Sequence, residues 1–284
     1  MASQVSTRIC PDPEAIAREK EARLFEALRG LDSVLVAFSG GADSAYLAWA
    51  ADRALGERAL AITALSPSFS GYDRQQAEQF LSDTGIRHEF IETKEFENPL
   101  YVANNADRCY HCKDELFERM EAVARERDFR AIAYGVNADD PRDFRPGHRA
   151  ALEHLVLAPL LDAEMTKAEV RLLSRVAGLR TWDRPASACL SSRVPYGTPV
   201  TREVLRKIER GEAALRELGF RQFRVRAHGE LARIELASDE LARGLEPSMT
   251  GQISARVKEA GFAFVAIDLD GYRQGSLNSL LKMK

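Results

Sequence analysis

Residues 33–50 read SVLVAFSGGADSAYLAWA. The run from Val34 to Phe38 is short and continuously apolar, as a strand covered on both faces of a parallel sheet requires. Ser39-Gly40-Gly41-Ala42-Asp43-Ser44 then turns the chain, and Ser44 opens an alanine-rich helix predicted to reach residue 55. Gly40 and Gly41 let the backbone turn sharply and approach a ligand with no Cβ in the way. The helix behind them aims unpaired N–H groups and its positive dipole end at the same point, and Ser39 and Ser44 add hydroxyls. The segment is an anion cradle at the C-terminal edge of a parallel sheet, where open α/β folds bind ligands. The chain has no Gly-Lys dipeptide, so this is not a Walker loop, and G-x-G-x-x-G does not fit it either.

Outward from this segment, strand and helix patterns alternate. An amphipathic helix precedes it at 14–29. Strands are expected at 60–65, 87–91 and 131–134, and helices at 73–84, 114–125 and 166–176, where Thr166 and Glu169 have capping-box spacing. Repeated strand–helix units imply an α/β fold with a doubly wound parallel sheet. The pattern changes at TWDRPASACLSSRVPYGTPV, residues 181–200, where prolines interrupt any periodicity. Beyond it, helices at 202–218 and 249–260 and strands at 222–226, 231–236 and 263–269 predict a second, smaller α+β domain. The expected division is 1–183 and 184–284.

Composition bounds the function. The 284 residues are 45% apolar, and 40 Lys and Arg face 43 Asp and Glu, a net charge of −3. That balance gives no broad electrostatic grip on nucleic acid. No apolar run is long enough to span a membrane, and the N-terminal stretch lacks an apolar signal core, so a cytoplasmic enzyme is expected. Cys10, Cys109, Cys112 and Cys189 are too few for a disulfide scaffold and read as chemistry or metal ligands.

Ser-Gly-Gly-x-Asp-Ser after a strand resembles the PP-loop signature of ATP pyrophosphatases. The resemblance implies that the loop holds the β,γ-diphosphate of ATP, that cleavage falls between the α and β phosphates, and that Asp43 helps hold Mg²⁺. Ser39, Gly40, Gly41, Asp43 and Ser44 are therefore the expected nucleotide residues. Ala64, at the end of the second strand, would offer backbone groups to adenine. Gly135, at the end of the fourth, would permit close approach; both segments read equally well as ordinary strand-to-loop turns.

Cys109-Tyr-His-Cys112 alone fits zinc, a redox pair, a cluster or coincidence. Zinc would need His111 or Cys10 to complete four ligands. With Cys189, three thiolates suit a 4Fe-4S cluster with one open iron. Cys189 also reads as a nucleophile, since Arg184 and Arg193 lie nearby and cationic neighbours favour the thiolate. Lys113 follows the pair and reads either as a phosphate contact or as a surface lysine. His148, His154 and His228 show no ligand spacing.

SGGADS, DRCYHCK (107–113), RPASACLSSRVPYG (184–197) and FRVRAHGELARIEL (223–236) together resemble the LarE family, ATP-dependent sulfur-inserting enzymes of nickel-pincer nucleotide synthesis. The resemblance spans about residues 14 to 270. It implies that MgATP adenylates a carboxylate of a pyridinium biscarboxylate mononucleotide and that Cys189 displaces AMP to form a thioester. In the sacrificial form the Cβ–S bond of that cysteine then breaks, leaving a thiocarboxylate and dehydroalanine. In members with an added C-x-x-C pair, the resemblance implies a 4Fe-4S cluster on Cys109, Cys112 and Cys189 that delivers sulfide. The three-cysteine pattern favours the cluster route here, with sacrifice of Cys189 open if no cluster forms. A homo-oligomer is also implied.

Strand alternation puts Arg224 and Arg226 on one face, a phosphate clamp. By the resemblance, Arg224, Arg226, Glu212 and Glu235 sit near the substrate phosphate or a metal, and Arg193 joins them as a substrate contact. The charge pattern alone would fit a solvated strand face. The rival activities are an NAD- or GMP-synthetase-like amidotransferase, which needs no cysteine triplet, and a tRNA thiolase, which the charge does not favour. A non-catalytic ATP-binding domain is a third reading, against which Asp43 and Ser44 speak.

Overall fold

The computed structural model describes residues 12–140, 146–185, 188–273 and 275–277. In chain order the elements are α1 (Pro13–Arg29), β1 (Val34–Ala37), α2 (Ala42–Leu55), β2 (Ala59–Leu65), α3 (Gly71–Thr84), β3 (His88–Glu92), α4 (Pro99–Val102), α5 (Arg108–Arg127) and β4 (Ala131–Tyr134). Then come α6 (Gly147–Glu153), α7 (Pro159–Asp162), α8 (Lys167–Val176), α9 (Arg202–Glu217), β5 (Phe223–His228), β6 (Leu231–Leu236), α10 (Ser238–Gly244), α11 (Pro247–Glu259) and β7 (Phe264–Ile267).

The first sheet is parallel throughout, in the order β3-β2-β1-β4. Alternate residues of its central strands serve two cores, as strand geometry dictates. Val34, Val36, Ala59 and Ala61 pack with α1, α2 and α8 on one face. Leu35, Ala37, Leu60 and Ile62 pack with Phe117 and Met120 of α5 and Ala150 and Ala151 of α6 on the other. The α/β expectation therefore holds, with helices on both faces. The chain runs β1, β2, β3 to one side and places β4 on the other side of β1. The loops after β1 and β4 thus diverge at a topological switch point, the crevice where such sheets bind ligands.

The second sheet is β5-β6-β7, antiparallel then parallel. Its core, with Ile208 and Leu215 of α9 and Ile253 and Val257 of α11, also takes in Tyr101, Leu190, Val194 and Val200. The segment around Cys189 is therefore anchored in the second core through Leu190 and Val194. It forms short 3-10 turns at Arg180–Asp183 and Leu190–Arg193.

Two helix starts bear on the site. The helix expected at 114–125, with the cysteine pair just before or at its start, begins at Arg108, so Cys109 and Cys112 sit within its first turns at i and i+3, on neighbouring positions of one face. The Thr166–Glu169 capping box forms as expected and fixes the start of α8, where Lys167 lies. Among the described residues no helix is long and apolar enough to cross a membrane.

Candidate active site

Gly41 is extended and caps α2, while Gly40 takes the left-handed conformation at φ +73° that favours glycine. The two hydroxyls stitch the loop: Ser39 N–H donates to Ser44 Oγ at 3.2 Å, and Ser44 Oγ donates to the Gly41 carbonyl at 3.0 Å. Arg184 braces it from outside, donating from Nη1 to the Gly40 carbonyl at 2.6 Å and pairing through Nη2 with Asp73 at 2.7 Å. Asp43, in the first turn of α2, pairs through Oδ2 with Lys167 Nζ at 2.5 Å. Its Oδ1 is buried with no hydrogen-bond partner. A buried carboxylate oxygen left unpaired is costly, and a cation or a hydrogen-bond donor would relieve it.

Gly135, at the switch point, is required by packing. A Cβ there would meet Ser44 N at 2.6 Å and Asp43 C at 2.9 Å. The absent side chain lets the β4 loop close on the start of α2.

Two cavities meet at this loop. One, of about 300 Å³, is lined by the ends of β1, β2 and β4, including Ser39, Ser44, Ala64 and Gly135, and by Lys113, Cys109, Cys112 and Cys189. The other, of about 740 Å³, runs from Asp43, Ser44, Asp139, Asp140 and Lys167 past Arg171 and Arg184 to Arg224, Arg226 and Tyr272. Its excess of guanidinium groups suits a ligand with several anionic groups.

The cysteine wall has its own electrostatics. Burial pushes the Cys112 thiol well above the ordinary range, and the facing Cys189 and Glu95 push it further. Burial lowers the Lys113 pKa, against the pull of the three sulfurs. Burial also works against the Arg108 charge, but Cys189 and Cys109 outweigh it and hold the guanidinium protonated more firmly than usual. Glu95, almost fully buried on this wall, has neither carboxylate oxygen hydrogen-bonded.

No family model matches the chain. Individual proteins do. An uncharacterized protein of Synechocystis is 42% identical over 251 residues, 88% of this chain and 94% of that one. The pyridinium-3,5-bisthiocarboxylic acid mononucleotide synthase of Lactiplantibacillus plantarum is 33% identical over 264 residues, 92% of this chain and 95% of that one. The chain belongs to the LarE family. An uncharacterized protein of Methanocaldococcus jannaschii is 27% identical over 247 residues, 84% and 90% of the two lengths.

In this LarE-family enzyme the expected residues fall into three groups. Ser39, Gly41, Asp43, Ser44, Ala64, Gly135, Arg224, Arg226 and the three cysteines line one or both cavities. Gly40 lies behind the loop, against Arg184. Arg193, Glu212 and Glu235 line neither of the two cavities. Arg193 and Glu212 hold each other, and Arg193 Nη1 also donates to the carbonyls of Ala188 and Cys189. Glu235 is fully buried, accepting from Arg226 at 2.8 Å and Arg233 at 3.1 Å. Arg184, expected beside the thiol, is engaged with the loop and Asp73.

Arg224 Nη1 donates to the Phe223 carbonyl, and the guanidinium lies 5.0 Å from the Tyr272 ring. Burial, then the charge of Arg193, lowers its pKa. Arg226 donates to the Ser192 carbonyl at 2.9 Å and Ser276 Oγ at 3.0 Å, while its Nε is buried without a partner.

The sequence reading missed Lys167, Arg108 and Tyr272. Lys167 follows a capping threonine and looks like a surface residue until α8 packs beside α2. His154, which shows no ligand spacing in the sequence, is tied up structurally, with Glu121 at 2.8 Å and Asp114 at 3.1 Å.

The chemistry of the donors tests the implied ions. The unpaired Asp43 Oδ1 fits Mg²⁺. The three sulfurs share one cavity wall, yet among the described residues no three His, Cys, Asp or Glu side chains are gathered closely enough to hold a metal ion. The residues as placed do not form a cluster site. Cys10 lies outside the described residues.

Proposed function

We propose that this enzyme uses ATP to convert the carboxylates of a pyridinium biscarboxylate mononucleotide to thiocarboxylates, with Cys189 as the sulfur-bearing nucleophile. The relative from L. plantarum is named as the synthase of the bisthiocarboxylic product. One observation carries the reading: Cys189 lines the same cavity as the Ser39–Ser44 loop and the end of β2, and that cavity shares a wall with the arginine-lined one.

The roles follow from position. Residues 1–183 supply the nucleotide site and residues 184–284 the substrate clamp. The N–H groups at the start of α2 hold the diphosphate of ATP, and Lys167 and Asp43 face it from the side. Mg²⁺ on Asp43 Oδ1 would supply Lewis-acid neutralisation of the departing pyrophosphate. Arg224 and Arg226 hold the mononucleotide phosphate at the far end and so aim a carboxylate at the α-phosphorus. The carboxylate oxygen attacks phosphorus, and pyrophosphate leaves with the electron pair of the α–β bond. The Cys189 sulfur then attacks the acyl carbon and AMP departs, leaving a thioester. Loss of the Cα proton with cleavage of the Cβ–S bond releases the thiocarboxylate and leaves dehydroalanine at 189.

The experiment mixes the full chain, purified without oxygen, with ATP, Mg²⁺ and the mononucleotide. Pyrophosphate release that depends on the mononucleotide is expected, with loss of one H₂S mass from the Cys189 peptide. An unchanged peptide alongside bound iron and thiocarboxylate product would instead favour delivery from a cluster on the three cysteines. An amidotransferase would release pyrophosphate equally well in Cys189→Ser and form amide from ammonia.

A further inference from the structure

We propose that Arg108 is a catalytic residue of the adenylation step, its guanidinium bridging the carboxylate being activated and the α-phosphate that activates it. This rests on the adenylating reading above. Among the described residues, the nucleotide cavity and the arginine-lined cavity share Ser39, Ser44, Arg108, Cys109 and Gly135. A phosphate brought by one cavity and a carboxylate brought by the other meet at this shared wall. Two anions that must come to bonding distance repel strongly where water is excluded. Arg108 is the cationic residue of the shared wall.

Its setting is that of a built side chain. Arg108 is 3% exposed yet borders both cavities. Nη1 is anchored, donating to Asn104 Oδ1 and to the Ser191 carbonyl at 2.8 Å. Nη2 faces Cys109 Sγ at 3.8 Å, and the guanidinium lies 5.9 Å from the Tyr196 ring. Asn104 in turn donates to the carbonyls of Pro195 at 2.8 Å and Thr198 at 2.9 Å. The fork is thus held through one nitrogen while the other faces the seam. A planar guanidinium spans two oxyanions, which a single ammonium does not. As the carboxylate oxygen attacks the α-phosphorus and pyrophosphate leaves, the charge gathers between the two anions that Arg108 touches. When the sulfur later expels AMP, the same group remains on the AMP phosphate.

The test is calorimetric titration of the full chain with AMP and, separately, with adenosine. In Arg108→Lys the affinity for AMP should fall at least about tenfold, the scale of a charge-assisted hydrogen bond, while adenosine stays within about twofold. Asn104→Ala removes one anchor and keeps the guanidinium, and should lower the affinity for AMP relative to adenosine by less than Arg108→Lys does. Should Arg108→Lys not fold, Arg108→Gln, which retains donors for Asn104 and Ser191, carries the same comparison. Equal weakening of AMP and adenosine, or AMP affinity unchanged, overturns the assignment. A parent chain that binds neither ligand overturns the nucleotide reading, and this one with it.

Discussion

Arg193 grips Glu212 with two nitrogens, Nε to Oε1 at 2.8 Å and Nη2 to Oε2 at 3.0 Å, in a pair almost wholly buried. The Glu212 carboxyl, which burial alone would raise, is held below its ordinary pKa by Arg193. Its Oε1 also accepts from Val225 N–H at 3.2 Å. The third nitrogen of Arg193 reaches the carbonyls of Ala188 and Cys189. One guanidinium therefore ties α9 and β5 to the backbone that presents the candidate nucleophile.

Removing one partner of such a pair strands a buried charge. Glu212→Ala should destabilise the chain by about 3 to 5 kcal/mol. Arg193→Ala should do the same and also slow thioester formation at Cys189 more than pyrophosphate release. Thermal unfolding and the two product assays separate these effects. Equal losses in both assays would mean that the arginine serves only the fold.

Asp43 and Lys167 are 124 residues apart and pair across the loop. Asp43→Asn keeps the size and a hydrogen-bonding group but removes the charge that faces Lys167 and the unpaired oxygen. Mononucleotide-dependent pyrophosphate release should fall at least about 100-fold, the usual scale for removing a group that stabilises transition-state charge. Its dependence on Mg²⁺ concentration should move to higher values. A variant with parental rate and Mg²⁺ response would remove Asp43 from the chemistry.

Gly135→Ala puts a methyl group 2.6 Å from Ser44 N, a backbone atom at the start of α2 that cannot swing aside. Overpacking of this kind costs about 1 to 3 kcal/mol, and the movement needed would open the anion cradle. Both a lowered melting temperature and weaker ATP binding are expected. Loss of stability alone, with ATP affinity intact in the folded fraction, would show that the cradle does not depend on this contact.

The parts of this site that repeat locally were legible in the sequence. The apolar run of β1, the two glycines and the Thr166–Glu169 box each specify their geometry within a few residues. That Arg224 and Arg226 share one face follows from strand alternation, but that this face lines a cavity does not. What was not legible is how charges pair over long separations. Residue type assigns no partners to the arginines of FRVR and of the loop around Cys189, and in the fold Arg193 is taken by Glu212, Arg184 by Gly40 and Asp73, and Arg226 partly by Glu235. Nothing in residue type says which guanidinium is anchored and which faces ligand; that depends on which helices the sheet brings together. Whether the cysteine pair falls before α5 or inside it was hidden for a similar reason. Arg108-Cys-Tyr-His-Cys lacks apolar periodicity, so its helix is held by packing of Phe117 and Met120 farther along.

His88 provides the pH signature of the fold. Burial lowers its pKa to about 4 from the ordinary 6.5. Thr63 Oγ1 donates its single hydrogen to the Phe38 carbonyl at 2.7 Å, so His88 Nε2, 2.8 Å away, must donate to Thr63. The neutral ring thus ties β3 through β2 to the residue just before the phosphate loop. Between pH 6.5 and 4 the unfolded chain binds a proton that the folded chain refuses, so stability falls as pH falls through this window. A fully buried group would contribute about 1.4 kcal/mol per pH unit, and partial exposure of the ring reduces that. In His88→Gln the amide can still donate to Thr63 but does not titrate. The drop in melting temperature from pH 7 to pH 4.5 should therefore be smaller in the variant than in the parent. Identical pH profiles for the two proteins would show that His88 protonates freely in the fold and that burial does not hold the ring neutral.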